Sequence, residues 1–186
     1  MTRAMNERKP QGPWSVPLTV REVPVTGRRF ELVADEATRA AIAKSAGQRA
    51  LPRLEATFEV SRRQSDGLHV VGRVCATVGQ VCVVTLDPIE NEIDEMVDLV
   101  FVPGAAPAIG DVSGKDALEA SDQTPEPLLD DTIDLGAIAT EFLILGIDLY
   151  PRKPEAVFQA PPIEDKTEHP FAALAALRRE QDGRDE

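Results

Sequence analysis

A chain of 186 residues with 42% hydrophobic content can bury one core, and with aromatics at 4% that core is expected to be built from Val, Ile, Leu and Ala. No apolar run reaches the ~18 residues of a membrane span, residues 1–16 lack the apolar stretch of a secretory signal, and the two cysteines suit free thiols in a reducing cytoplasm. Net charge is −12 but unevenly placed: residues 1–73 carry 13 Lys and Arg against 8 Asp and Glu, and residues 74–186 carry 7 against 24.

In chain order, residues 1–16 are polar, bear Pro and Gly, and are expected to be disordered. Leu18-Thr-Val20 and Phe30-Glu-Leu32-Val33 read as short strands about a Thr26-Gly27 turn. Ala34-Asp35-Glu36 opens a helix that Asp35 caps and Gly47 stops, with Ala37, Ala40, Ala41 and Lys44 at helical spacing. From Arg53 the period becomes that of a strand. Leu54, Ala56, Phe58 and Val60 alternate with Glu55, Thr57, Glu59 and Ser61, and residues 64–67 supply hairpin chemistry.

The apolar-rich stretch 68–86 has 19 residues. That exceeds the ~3–10 of an ordinary strand, so a bulge or bend is expected at Gly79. After an Asp87-Pro88 turn, Ile89, Ile93, Val97, Leu99 and Phe101 alternate with Glu90, Glu92, Asp94 and Asp98, which is the clearest strand in the sequence. Residues 103–134 hold 8 acids, one lysine and four prolines, the composition of a flexible acidic insertion. Leu135, Ile138, Ala139, Phe142 and Leu145 mark a helix capped by Asp134 and ended near Gly146, and Tyr150-Pro-Arg-Lys-Pro154 leaves it extended. Pro170 opens a C-terminal amphipathic helix with Phe171, Leu174 and Leu177 on one stripe. The fold class is α+β: an antiparallel meander, able to curl toward a barrel, covered by helices. One domain is expected over 17–160, followed by a linker and helix over 161–186.

Residues able to carry chemistry are sparse. Cys75 and Cys82 lack the close spacing of a zinc site and fall on opposite faces of an unbroken strand, so both read as structural thiols. A disulfide across the Gly79 bend is the lesser alternative. The row Glu90, Glu92, Asp94 shares one wet face instead of the contrasted environments that acid–base catalysis needs. Ser61, Ser65 and Ser113 have no nucleophile-elbow context, and no glycine-rich phosphate loop is present. No catalytic residue, metal or cofactor is expected.

The basic set is more useful. Arg28, Arg29, Arg62, Arg63, Arg53 and Arg73, with Arg39, Lys44 and Arg49 near them, would make a phosphate-facing surface if the N-terminal strands stack beside the hairpin. Few aromatics are available to stack bases, so such contact would be backbone-directed and salt-sensitive. A simple solvated surface is the competing account of the same arginines.

Two blocks together resemble the YceD family, the large ribosomal RNA subunit accumulation proteins. Members show a cysteine-containing turn, Cys-x-Arg-Cys-Leu-x-Pro in many, then an alternating strand ending near Pro, a variable acidic segment, and an Asp-Leu helix with a later Glu and a Pro-rich exit. The matching residues here are Cys82, Leu86, Pro88, then Asp134, Leu135, Glu141 and Pro151, and the ending HPFAALAALRR is similar as well. Val84 and Thr85 stand where many members have Arg and the second Cys, so a metal-binding cysteine pair does not carry over.

The resemblance implies a cytoplasmic, non-enzymatic factor promoting accumulation or maturation of large-subunit (23S) ribosomal RNA. Implied partners are that RNA or a pre-ribosomal particle, and other ribosome assembly proteins, with neither membrane nor DNA. The alternative is an acidic adaptor that recruits another assembly factor and touches no RNA.

Overall fold

The computed structural model describes residues 12–63, 66–104 and 125–158. The chain forms β1 (Pro17–Thr19), a 3-10 turn (Val20–Glu22), β2 (Arg28–Val33), α1 (Glu36–Ser45), β3 (Ala50–Arg62), β4 (Leu68–Val81), β5 (Pro88–Pro103), β6 (Glu126–Leu128), β7 (Thr132–Asp134) and α2 (Leu135–Leu145). All of these lie in a first compact unit, Met1–Ala156; of a second, Val157–Glu186, only Val157 and Phe158 are described.

β2, β3, β4 and β5 make the expected antiparallel meander, and β6 joins β5 in parallel at Phe101–Pro103. The fold is α+β, and the sheet stays open, with β2 and β6 at its margins instead of closing into a barrel. Leu54, Ala56, Phe58 and Val60 of β3 and Val70, Val74, Ala76 and Val78 of β4 point to one face and are buried there with Ile93 and Val97 of β5. Ile42 of α1 and Leu135, Ile138, Ala139 and Leu143 of α2 complete that core. Only one polar side chain, Gln80, is buried among the described residues. It is satisfied at both ends, donating to Asp148 O at 2.9 Å and accepting from Asn91 Nδ2 at 2.7 Å.

Both helix starts follow their sequence signals. The Asp35 carboxylate accepts the Thr38 N–H at 2.7 Å, and Gly47 takes φ 66° just past the end of α1. Asp134 Oδ1 accepts from the N–H groups of Gly136 and Ala137 at 3.0 and 3.1 Å.

Four features differ from the sequence expectation. β1 does not form a hairpin with β2; it pairs with β7, placing Leu18 opposite Ile133. The bend expected at Gly79 of β4 is not there, since the β4–β5 register runs unbroken to Val81. The irregularity lies on the neighbouring strand, between Ala50 and Arg53, where Pro52 has no N–H to offer the ladder. The end of the acidic segment is ordered into β6 and β7, while 105–124 lies outside the described residues. At the N-terminus, Trp14 is buried and Val16 N–H donates to Asp134 Oδ1 at 2.8 Å, so the fold begins before residue 17. Residues 1–11, the hairpin-turn residues 64 and 65, and the C-terminal helix expected after Pro170 also lie outside the described residues.

Candidate nucleic-acid interface

Strand alternation sends a second set of side chains to the face opposite the core. Arg53, Glu55, Thr57 and Glu59 of β3, His69, Arg73, Cys75 and Thr77 of β4, and Glu90, Glu92, Asp94, Met96 and Asp98 of β5 lie there, in register from strand to strand. The result is a ladder of ion pairs. Arg53 reaches Glu92 at 2.7 Å and Glu55 at 3.7 Å, and Arg29 of β2 reaches Glu31 at 3.1 Å and Glu59 at 3.9 Å. Arg73 grips Asp94 through two N–H donors. His69 Nε2 lies 2.8 Å from Asp98 Oδ1.

Proton affinities follow this pairing. The hydrogen bond to Glu92 holds Arg53 above its usual range, and that to Asp94 does the same for Arg73. Glu92 is held low by the Thr77 hydroxyl first and Arg53 second, and Asp94 is held low chiefly by Arg73. Glu92 and Asp94 are therefore plain carboxylates with their charge matched. Both are displaced in the same direction, so no contrast in proton affinity divides Glu92 from Asp94.

The six arginines singled out in the sequence do not gather on one face. Arg29, Arg53 and Arg73 belong to the ion-paired outer face. Arg28 has the opposite parity and stacks over Phe30 at 4.8 Å, a cation–π contact. Arg62 lies on the same side at the end of β3 and donates from Nε to Val23 O at 2.6 Å. Arg63 follows β3, is exposed, and makes no ion pair among the described residues.

A different set of cations does converge. Arg39 and Lys44 of α1 and Arg49 before β3 line one groove of about 570 Å³ with Glu36, Gln48 and Pro52. Arg39 is anchored by donation to Ala34 O at 2.6 Å. Lys44 and Arg49 have no ion-pair partner among the described residues. The sequence names all three cations, but Arg39 and Lys44 are five residues apart and share no helix face by spacing; packing of α1 against β3 makes them line one groove with Arg49.

The two motif blocks meet in space. Val83 N–H donates to Pro151 O at 2.9 Å, Lys153 N–H to Cys82 Sγ at 3.4 Å, and Lys153 Nζ to Asp87 Oδ2 at 2.6 Å. The turn between them closes through Cys82 N–H to Asp87 O and Leu86 N–H to Cys82 O, each 2.9 Å, with Leu86 exposed at φ 61° and Pro88 starting β5. Cys82 is buried and free. Hydrogen bonds from Thr85 and then from the Lys153 amide pull its thiol down to about 6. Leu135 is fully buried and Pro151 is buried. Glu141 is exposed and makes no ion pair among the described residues, while Lys153 of the helix exit pairs with Asp87 instead.

Cys75 lies on the outer face with Sγ 3.9 Å from Asp94, away from the Cys82 turn. Among the described residues no group of three or more His, Cys, Asp or Glu is arranged to hold a metal ion, and no helix is long and apolar enough to cross a membrane.

No curated protein and no solved structure matches the chain. The family model described as large ribosomal RNA subunit accumulation protein YceD matches residues 70–178, which is more than half of the sequence and includes both blocks joined through Cys82, Pro151 and Lys153. The chain belongs to the YceD family.

Proposed function

We propose that the chain is a non-enzymatic cytoplasmic factor in the accumulation of large-subunit ribosomal RNA, holding the precursor RNA or particle through phosphate contacts from its N-terminal half. Family membership supports the ribosomal role, and the excess of cations in residues 1–73 supports the phosphate contact. The observation that carries the reading is the α1–β3 groove, where Lys44 and Arg49 stand without carboxylate partners among the described residues beside Arg39. Arg28, Arg62 and Arg63 add cations at the hairpin end. Arg29, Arg53 and Arg73 contribute less, because each would have to leave a carboxylate to reach a phosphate. No aromatic lines the groove, so contact follows the backbone and not the bases.

The test is RNA crosslinking in cells with the crosslinked nucleotides mapped, on wild type and on the triple variant Arg39→Glu, Lys44→Glu, Arg49→Glu. Crosslinks to large-subunit precursor RNA in wild type and their loss in the folded triple variant are expected. Protein adducts alone would reject RNA contact, and unchanged crosslinks in the variant would remove the groove from the account.

A further inference from the structure

β5 is paired on one side only for most of its length. β4 runs along all of it, but on the other side β6 covers just Phe101–Pro103. Among the described residues no strand pairs with 88–100 there. The direction of the backbone groups follows from two bonds. Cys82 N–H donates to Asp87 O at 2.9 Å, and Arg63 N–H donates to Gly67 O at 2.9 Å. Alternation along the antiparallel ladder then aims the N–H and C=O of Ile89, Asn91, Ile93, Glu95, Val97 and Leu99 at β4. Those of Glu90, Glu92, Asp94, Met96 and Asp98 point to the open side. Val102, two registers on, is the residue whose backbone faces β6, as the same alternation requires.

The outward-aimed residues are also those whose side chains stand on the outer face, and four of the five are acids. β5 as a whole holds five acids and no Lys or Arg. Arg53 and Arg73 already pair with Glu92 and Asp94, yet the outer face as a whole sets Glu31, Glu55, Glu59, Glu90, Glu92, Asp94 and Asp98 against only Arg29, Arg53 and Arg73, and this excess of negative charge selects the occupant. A second copy of the strand would set carboxylate against carboxylate, and segment 105–124, with four acids and one lysine, offers the same conflict. A cationic strand meets no such penalty. Cross-strand neighbours share a face, so its alternate residues would lie beside Glu90, Glu92 and Asp94. The residues between them would turn to the core side, where α2 ends: a Cβ on Gly146 would sit 2.7 Å from Ile93 Cγ2, and the preceding Ile144 and Leu145 are exposed.

We infer that the open edge of β5 is a docking site for an extended protein segment in which Lys or Arg alternates with apolar residues, added as a further strand beside Glu90–Met96. This goes beyond the RNA reading and uses none of the groove cations. Main-chain bonds supply the affinity and the alternating charge supplies the selection.

The experiment is amide hydrogen exchange of the full chain by NMR, with and without a synthetic peptide of about eight residues alternating lysine and valine. New protection is expected at the amides of Glu92, Asp94 and Met96, with Ile93 and Glu95 unchanged because β4 already protects them. Met96→Lys leaves the β4 ladder intact, places a like charge opposite the peptide, and is expected to weaken binding about fivefold. Three outcomes overturn the proposal: no alternating protection, equal binding of the matching glutamate–valine peptide, or unchanged affinity in Met96→Lys. Protection of the same amides without peptide would also overturn it. If that protection scales with concentration the occupant is a second copy, and if deletion of 105–124 abolishes it the occupant is the chain's own segment.

Discussion

Gly72 stands directly opposite Phe58 in the β3–β4 ladder, and the Phe58 ring fills the space that a side chain at 72 would need. A Cβ there would lie 2.5 Å from Phe58 Cδ1 and against Thr57 O. Phe58 is fully buried at the centre of the core, so it cannot swing away. Gly72→Ala is expected to cost about 1–3 kcal/mol by overpacking, and Phe58→Ala about 3–5 kcal/mol by cavity formation. Urea unfolding of both, and of the double variant, checks the pairing. The double should cost less than the two singles added together, and strict additivity would show that the two sites do not share this space.

Asp134 joins the N-terminus to α2. One carboxylate oxygen accepts from Val16, Gly136 and Ala137, and the other accepts from Ser15 Oγ at 2.6 Å. Asp134→Ala removes the cap and the anchor together and is expected to cost about 2 kcal/mol. It should also make residues 12–20 more accessible to protease, because Asp134 carries the side-chain bonds that tie Ser15 and Val16 to the start of α2. Asp134→Asn keeps an acceptor for the amides and should keep most of the stability. Equal loss in Ala and Asn would mean that the charge, not the cap, is what matters.

Much of this was legible in the residues, and the gaps have physical causes. Period and capping chemistry are local, so β3, β5, α1 and α2 could be read from Phe58, Ile93, Asp35 and Asp134. The partner of β1 is more than a hundred residues away, and nothing in Leu18-Thr-Val20 names Ile133. Gly79 does mark an irregularity, but on the facing strand: a Cβ at 79 would lie 3.1 Å from the Ala50 Cβ, so the glycine admits the bulge of β3 without bending β4. The arginine surface was the least legible part. Strand parity alone puts Arg28 and Arg29 on opposite faces, and the carboxylates that neutralise Arg53 and Arg73 come from β5, outside the basic half.

The outer ladder is expected to contribute little to stability. Arg73 and Asp94 are both about half exposed, and exposed pairs are typically worth under ~1 kcal/mol. Arg73→Ala and Asp94→Ala should each shift the unfolding free energy by less than that, with a small coupling in the double-mutant cycle. A coupling of several kcal/mol would mean that this face is covered by something that excludes water.

If Arg39, Lys44 and Arg49 each neutralise one phosphate, binding to single-stranded precursor RNA depends steeply on salt. Removing all three should make the log–log salt slope shallower by about 2. The control is Arg29→Gln, Arg53→Gln and Arg73→Gln, whose guanidinium groups already have carboxylates, and its slope should barely move. The reverse ranking would return the contact to the sheet face.

The Cys82 turn makes the sharpest pH prediction. An ordinary cysteine titrates near ~8.5, whereas Thr85 and the Lys153 amide hold Cys82 at about 6 in the folded chain. A depressed acid stabilises the folded state fully above the unfolded pKa, and the contribution shrinks as pH falls toward the folded value. The Cys82 share of stability is therefore complete above about 8.5, declines between there and about 6, and is absent at lower pH, where both states hold the thiol. In a Cys75→Ser background, ultraviolet thiolate absorbance should show one midpoint near 6. Thr85→Val removes the leading side-chain hydrogen bond and should move that midpoint upward, leaving the backbone N–H groups of Lys153 and of residues 84 and 85 as donors. A wild-type midpoint in the ordinary thiol range would mean that the two motif blocks do not close over Cys82 in solution.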